Sequence, residues 1–252
     1  MRSALCMMLV VSGVHAQDRI DLHFYVRPPY MVLGSETNVS GLTADPARAA
    51  FDKAGILFRW QQTPAKRQLV MIERGNGLDC GVGWYKTPER ERFGKFTTFL
   101  YRDKAPVIIA RARFQPQEAT LAALMADPAK RVVMKEGLSY GPDVASIMVG
   151  AKAKVQTVTT EQTTLARMVA LDRADFMLSP QEEAQTLLGN VQSGERLKVL
   201  QFPDLRQGAT RHILCSKKVS DETIDKLNAA LVKPTEQPVI RTRSTSYTQT
   251  RP

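Results

Sequence analysis

The 252-residue chain is poor in aromatic residues (7%), carries only three histidines and three cysteines, and lacks any long apolar run. No stretch reaches the roughly 20 apolar residues that a membrane span requires. The histidines (His15, His23, His212) and the cysteines (Cys6, Cys80, Cys215) are scattered. They form no cluster of metal-ligand spacing, so neither a metal nor a cofactor is expected. No serine has a recognisable histidine and acid pairing, and Gly83-Trp84 is not a nucleophile elbow, so the chain does not read as an enzyme. No basic helix with interleaved aromatics is found, which argues against a nucleic-acid partner. What is present is 43% hydrophobic residues and 24% charged ones, enough for one large domain or two small ones and incompatible with disorder or a small disulfide scaffold. The net charge of +10 favours anionic partners.

Arg2 precedes an apolar stretch over residues 3–14, and Val14-His15-Ala16 is followed by Gln17. A charged start, a short apolar run and small residues before a cut describe a signal peptide, with cleavage expected after Ala16. The alternative is a buried amino-terminal element. Cys6 falls too early to carry a lipid, so a soluble exported protein of net charge +9 is expected. Cys80 and Cys215 then remain. In an exported protein they read as a pair closing a loop of about 135 residues, for which chain entropy gives about 4–5 kcal/mol. The other reading is two buried thiols.

Strand and helix signals alternate along the chain. Residues 20–26 alternate like a strand; Asp45-Pro46 opens a helix that ends at Gly55; residues 56–60 are a second strand; Thr63-Pro64 opens a helix closed by Gly75; residues 79–84 are a third strand. The cycle then returns: strand 131–135, a helix capped by Ser139 and running to Gly150, strand 155–158, a helix with Thr159 and Gln162 as a capping box, strand 174–178, and a helix opened by Ser179-Pro180 and ending at Gly189. A cycle run twice predicts two α/β lobes, each a mostly parallel sheet flanked by helices. Residues 17–104 plus 209–252 are expected to form the first lobe and 105–208 the second. The segment 211–217 and a helix capped by Ser220 return to the first lobe, and the polar tail after Pro234 is expected to be loosely held. The ligand of such a fold sits at the carboxyl ends of the strands, against helix amino termini.

Pro28-Pro29-Tyr30, Gly41-Leu42, Gly77-Leu78-Asp79, Thr87-Pro88-Glu89-Arg90 and Phe96, in this order, resemble the extracellular solute-binding proteins of the amino-acid-binding type. Gly137-Leu138-Ser139 is similar to that family's ligand loop, and Arg173-Ala174-Asp175 to its strand opener. The resemblance implies the two-lobed type II periplasmic-binding-protein fold, a clamp that closes on a small solute and delivers it to an inner-membrane ABC-type permease as a monomer. It implies that Arg90 grips a ligand carboxylate with its two parallel donors. A surface arginine paired with Glu89 or Glu91 is the plainer reading. Ser139 is expected either to orient backbone N–H groups toward the cleft or simply to cap its helix.

Departures from the family pattern shape the ligand expectation. Ser179-Pro180 stands where the family has an aspartate for the ligand's ammonium, Arg27 where it has an aromatic, and Tyr85 near a small hydroxyl residue. The cleft thereby gains positive charge and loses an acid, so a modified amino acid or organic acid is expected rather than an ordinary amino acid. Lys66 and Arg67 stand in the first turn of a helix, where the dipole disfavours cations. Lys66 is read as solvated, and Arg67 as either solvated or turned into the cleft. Tyr30, Tyr85 and Trp84, with Tyr25, are candidates for stacking on the solute, whereas Trp60 reads as core. A secreted sensor and a dehydratase-like enzyme are the alternatives on the same fold.

Overall fold

Proline and glycine punctuation sets the helices of the first half. The computed structural model describes residues 19–34, 38–191, 196–206 and 208–231; the expected leader and the tail after Pro234 lie outside them. Strand β1 (Ile20–Phe24) leads through a short pair, β2 (Val32–Leu33) and β3 (Val39–Ser40), into helix α1 (Ala44–Ala54). Ala47, Ala50 and Phe51 recur at helical spacing and are buried, and the helix stops at Gly55 in the left-handed region. Then follow β4 (Phe58–Gln62), α2 (Ala65–Arg74), β5 (Asp79–Tyr85), α3 (Pro88–Phe93), β6 (Gly94–Phe96) and β7 (Tyr101–Arg102). The second half comprises β8 (Val107–Arg111), α4 (Leu121–Ala126), β9 (Arg131–Lys135), α5 (Pro142–Val149), β10 (Lys154–Val158), α6 (Gln162–Ala170), β11 (Phe176–Ser179), α7 (Gln181–Asn190) and β12 (Leu197–Leu200). The described residues end with β13 (Thr210–Ser216) and α8 (Asp221–Ala230), whose amino terminus is capped by Ser220.

Two sheets result. The first has the order β4-β1-β5-β13-β6, with β7 also on β13; the second has the order β10-β9-β11-β8-β12. Strands β4, β1 and β5 run parallel, as do β10, β9 and β11, so both strand-helix-strand runs form as the alternation implies. The remaining strands join antiparallel, β13 against β5, β6 and β7, and β8 against β11 and β12, which makes both sheets mixed. Each sheet is covered on both faces. Helices α1 and α8 bury Phe51, Ile224 and Leu227 on one face of the first sheet, and α2 places Ile72 against Trp84 and Leu214 on the other. Helices α4 and α5 cover one face of the second sheet with Leu121, Leu124 and Val144, and α6 and α7 cover the other with Leu165, Val169 and Leu187. The chain passes between the sheets at 103–106 and again at 201–209, and the Asp103 N–H donates to the Ala209 carbonyl, tying the two crossings together.

Three helix starts differ from the sequence reading. Helix α1 begins at Ala44 with Thr43 at its cap position, ahead of Asp45-Pro46. Helix α5 begins at Pro142 with Gly141 as its cap, not at Ser139, because the proline ring suits the first helical position and Ser139 lies outside it. Helix α6 starts at Gln162, since β10 extends to Val158, whose carbonyl accepts the Glu136 N–H, and the chain must turn before it can coil. Cys80 and Cys215 are bonded, and they sit opposite one another in the β5–β13 register.

His212 of β13 is buried. Its Nδ1 faces the Thr97 carbonyl at 2.8 Å and must therefore carry the proton, so Nε2 accepts from the Thr210 hydroxyl at 2.9 Å. Burial holds its pKa below the ordinary 6.5. The unfolded chain thus binds the proton more readily, and stability present above about pH 6.5 is lost as pH falls toward the folded value. We expect the thermal midpoint to drop as pH falls below about 6.5, and His212→Gln to flatten that drop. A wild-type midpoint that stays constant as pH falls below about 6.5 would contradict the assignment.

Candidate functional site

Parallel strands bring the ends of β1 and β5 to the same edge of the first sheet, and the ends of β9 and β11 face them from the second. Thr87 accepts the Arg90 N–H at its hydroxyl, and Pro88 occupies the first helical position of α3, which fixes where the Arg90 side chain leaves the helix. The Arg90 guanidinium lies 4.7 Å from the Trp84 ring centroid, and the residue is 7% exposed. It donates to the Tyr85 carbonyl at 2.9 Å and, across the seam, to the Gly137 carbonyl at 3.0 Å. Gly137 has φ of 74°, a conformation that aims this carbonyl at little steric cost only in glycine. No carboxylate among the described residues lies within ion-pair distance of Arg90. Burial pulls its pKa below the ordinary arginine value, with Glu89 opposing from farther off.

Two further arginines flank it. Arg211, at the start of β13, makes a two-point ion pair with Asp103, Nε and Nη2 each at 2.7 Å from the carboxylate. It also donates to the Gly83 carbonyl at 3.1 Å and the Tyr85 hydroxyl at 3.1 Å, while the rings of Tyr30 and Tyr85 stack on it at 3.7 and 4.6 Å. Burial alone would lower its pKa, but the Tyr85, Tyr30 and Asp103 oxygens outweigh that and hold it well above the ordinary value. Arg27 lies against Glu183 of α7 and donates to the Tyr25 hydroxyl at 3.0 Å. Here too burial is outweighed, chiefly by the Glu183 carboxylate, and the arginine stays charged. The neighbouring Glu182 accepts from the hydroxyls of Tyr30 (3.2 Å) and Tyr101 (3.0 Å) and from the Lys104 N–H (2.7 Å). Burial raises the pKa of both Tyr30 and Tyr85, so both phenols remain protonated donors.

The expected loss of acid from the cleft therefore needs correction. Ser179 and Pro180 are uncharged, but α7 starts immediately after them, and its first turn sends Glu182 and Glu183 across the seam. Ser179 itself is fully buried, and its hydroxyl donates to the Pro180 carbonyl rather than lining a cavity. Arg67 takes the solvated of its two readings and does not reach the seam. Helix α2 turns Gln68 and Ile72 inward, which leaves the adjacent Arg67 exposed beside a groove lined by Asp21, His23 and Met71 on the first sheet. Trp60 packs edge-on to Phe24 and Phe58.

The remaining candidates come together. Arg27, Tyr30, Trp84, Tyr85, Arg90 and Ser139 all line one small void of about 20 Å³ deep in the seam, together with Arg211. That void is nearly filled by the stacked tyrosines and arginines. It shares Tyr25, Arg27 and Leu138 with a larger cavity of about 630 Å³ that runs outward between the halves. Lys135, Gln162 and Glu183 contribute to the larger wall from the second half, Gln62 and Thr63 from the first. Lys135 pairs with Glu161 at 2.9 Å and faces the Tyr25 ring. Sequence reasoning missed Arg211, Asp103, Glu182, Glu183, Lys135 and Gln162. A Glu-Glu pair in the first turn after Ser-Pro was a visible signal, whereas nothing local marks Arg211. Beneath this wall, buried His23 links Thr63 (2.9 Å) to Asp79 (2.8 Å) and so joins the carboxyl ends of β1 and β4 to the start of β5. Among the described residues no group of three His, Cys, Asp or Glu gathers as a metal site, and no helix is long and apolar enough to cross a membrane.

Two mixed sheets joined by paired crossings, with their strand ends facing over a seam, define the fold of the two-lobed periplasmic solute-binding proteins. Structures that share it include proteins that bind amino acids and a domain of a larger protein. The substrate-binding protein of an amino acid ABC transporter superposes with a TM-score of 0.66 at 15% identity, covering 84% of this chain and 90% of that one. An ancestral arginine-binding protein bound to arginine gives 0.66 at 18%, with 84% and 89% covered. The periplasmic VFT2 domain of Bordetella pertussis BvgS gives 0.66 at 19%, with 84% and 86% covered. No family sequence profile and no curated protein matches the chain.

Proposed function

We propose that this protein captures a small carboxylate-bearing solute, a modified amino acid or organic acid, between two lobes in the periplasm and hands it to an inner-membrane permease. The lobes in this reading are residues 17–104 plus 209–252 and residues 105–208. One observation carries the proposal: Arg90 is a buried cation held by a carbonyl from each half and paired with no carboxylate among the described residues. A buried cation without a counter-charge is costly, and an anionic solute supplies the missing one. A solute that touches both halves also favours the closed arrangement by its extra contacts there. The amino acid ABC transporter protein of the same fold supports transport as the output.

Sensing is the second reading. The BvgS domain shares the fold, and Glu182 and Glu183 already bridge the two halves through the chain's own residues, as a reporter held near closure requires. Co-purification with a permease separates the first output from the second.

The test is a thermal-shift screen of organic acids and modified amino acids, followed by calorimetry on Arg90→Ala. A ligand at 100 times its dissociation constant raises stability by about 2.7 kcal/mol, which such a screen detects. Arg90→Ala is expected to weaken binding at least about tenfold, because a charge-assisted pair is lost from a nearly dry site. Unchanged affinity would remove Arg90 from the site.

A further inference from the structure

The outer cavity has its charges paired and part of its apolar wall bare. The charged side chains that line it pair with one another, Arg27 with Glu183 and Lys135 with Glu161 at 2.9 Å. None is held in reserve for a charged group on a solute. Gln62 and Asn190, neutral polar residues of the same wall, are exposed, so water already serves them. The apolar residues have no such partner. Tyr25, just after β1, and Leu138, in the loop after β9, are half-buried and line the cavity from opposite halves. Neither packs into any hydrophobic cluster of the described residues. Val26 beside them is 41% exposed. Apolar surface set in a concave wall, outside the core of either half, is stabilised by an apolar occupant.

Size and connection point the same way. The cavity of about 630 Å³ falls within the roughly 300–1,000 Å³ of sites that bury most of a drug-sized ligand. The inner void of about 20 Å³ has no room for the rest of a solute whose acid group reaches Arg90. The way out of that void runs along Tyr25, Arg27 and Leu138, which both spaces share. Arg27 is committed to Glu183, so the surfaces that meet the emerging molecule are Tyr25 and Leu138.

We infer that the solute is an amphiphilic acid, a carboxylate at one end and an apolar body that lies across the seam between Leu138 and Tyr25. This rests on the reading that Arg90 holds the acid end. The probes are three series matched in chain length: butyrate, hexanoate and octanoate; 4-hydroxybutyrate, 6-hydroxyhexanoate and 8-hydroxyoctanoate; and succinate, adipate and suberate. Binding of each is measured by calorimetry to the wild type, Leu138→Ala, Leu138→Asn and Arg90→Ala, with thermal midpoints confirming that each variant folds. In the methyl-ended series each added methylene is expected to tighten binding about threefold until the cavity is filled. The heat-capacity change of binding is expected to grow more negative in step. The best methyl-ended acid is expected to bind at least about tenfold tighter than its hydroxyl-ended and acid-ended counterparts. Both Leu138 variants are expected to bring that ratio below about threefold, with 6-hydroxyhexanoate binding held within about twofold. Equal affinities across the series, or a preference for a polar end, overturn the inference, as does a methyl preference that survives in both Leu138 variants. Arg90→Ala separates the two readings. If it weakens all three series alike, the acid site stands whatever the outer cavity prefers. If it changes nothing while the methyl preference and its loss in the Leu138 variants persist, the acid reading falls and the apolar site stands. Failure of every acid to bind at millimolar concentration overturns both.

Discussion

Asp103→Ala is expected to destabilise the protein by about 3–5 kcal/mol, seen as a lower urea midpoint with the slope unchanged. The pair it breaks is almost wholly shielded from water, with side-chain exposures of 3% for Arg211 and 2% for Asp103. In such a place an intact pair adds little net stability, because desolvation offsets attraction, but removing one partner strands the other charge. Arg211 has no route to water in the folded state, since Tyr30 and Tyr85 cover its faces and Gly83 takes its remaining edge. The double variant Asp103→Ala with Arg211→Met is accordingly expected to recover most of the loss, the signature of coupled neighbours. A single variant within about 1 kcal/mol of wild type would show that water reaches this guanidinium. The consequence extends beyond stability. Arg211 is the platform on which Tyr30 and Tyr85 stack beside Arg90, so loosening it widens the inner void.

This pair illustrates which parts of the molecule were legible in the sequence. Local rules worked where the determining interactions are local. Thr87-Pro88 caps α3 and places Arg90, glycines 55 and 75 end their helices, and Ser220 caps α8. They failed where two segments distant in sequence meet. Arg27 and Glu183 are separated by 156 positions, and no pattern around either residue announces the other. The departure at Ser179-Pro180 was read at one position, as a missing acid, although the helix that follows supplies carboxylates one turn later from a different direction. Of the two readings of Arg67 the solvated one fits, because Gln68, polar yet buried, turns inward to donate to the Thr63 carbonyl and accept from Trp84. Ser139 lies where expected, at the inner void, but not as a cap. Composition likewise overstated the free positive charge of the cleft, because the acids that neutralise Arg27 and Arg211 come from the other half and from a crossing segment.

The Cys80–Cys215 bond has the other large expected effect. Replacing both residues by alanine is expected to cost up to about 4–5 kcal/mol, because the bond closes a loop of 135 residues that the unfolded chain otherwise explores freely. That loop contains the whole second sheet, and its two ends are the central strands β5 and β13 of the first. The bond therefore joins the last parallel strand laid down before the chain leaves the first half to the strand on which it returns, whereas the seam residues are held by separate contacts. Stability and binding should then respond differently. The double alanine variant is expected to unfold at markedly lower denaturant yet to keep its solute affinity at low temperature, because neither cysteine lines the seam cavities. Arg90→Ala is expected to do the reverse. Alkylation of the denatured protein without reductant, read by mass spectrometry, should leave the Cys80 and Cys215 peptides unlabelled, and labelling of both would show the bond absent. If the bond is present but its removal weakens binding as much as it lowers stability, then β5 and β13 transmit strain to Tyr85 and Arg211 at their ends, and the separation of scaffold from site fails.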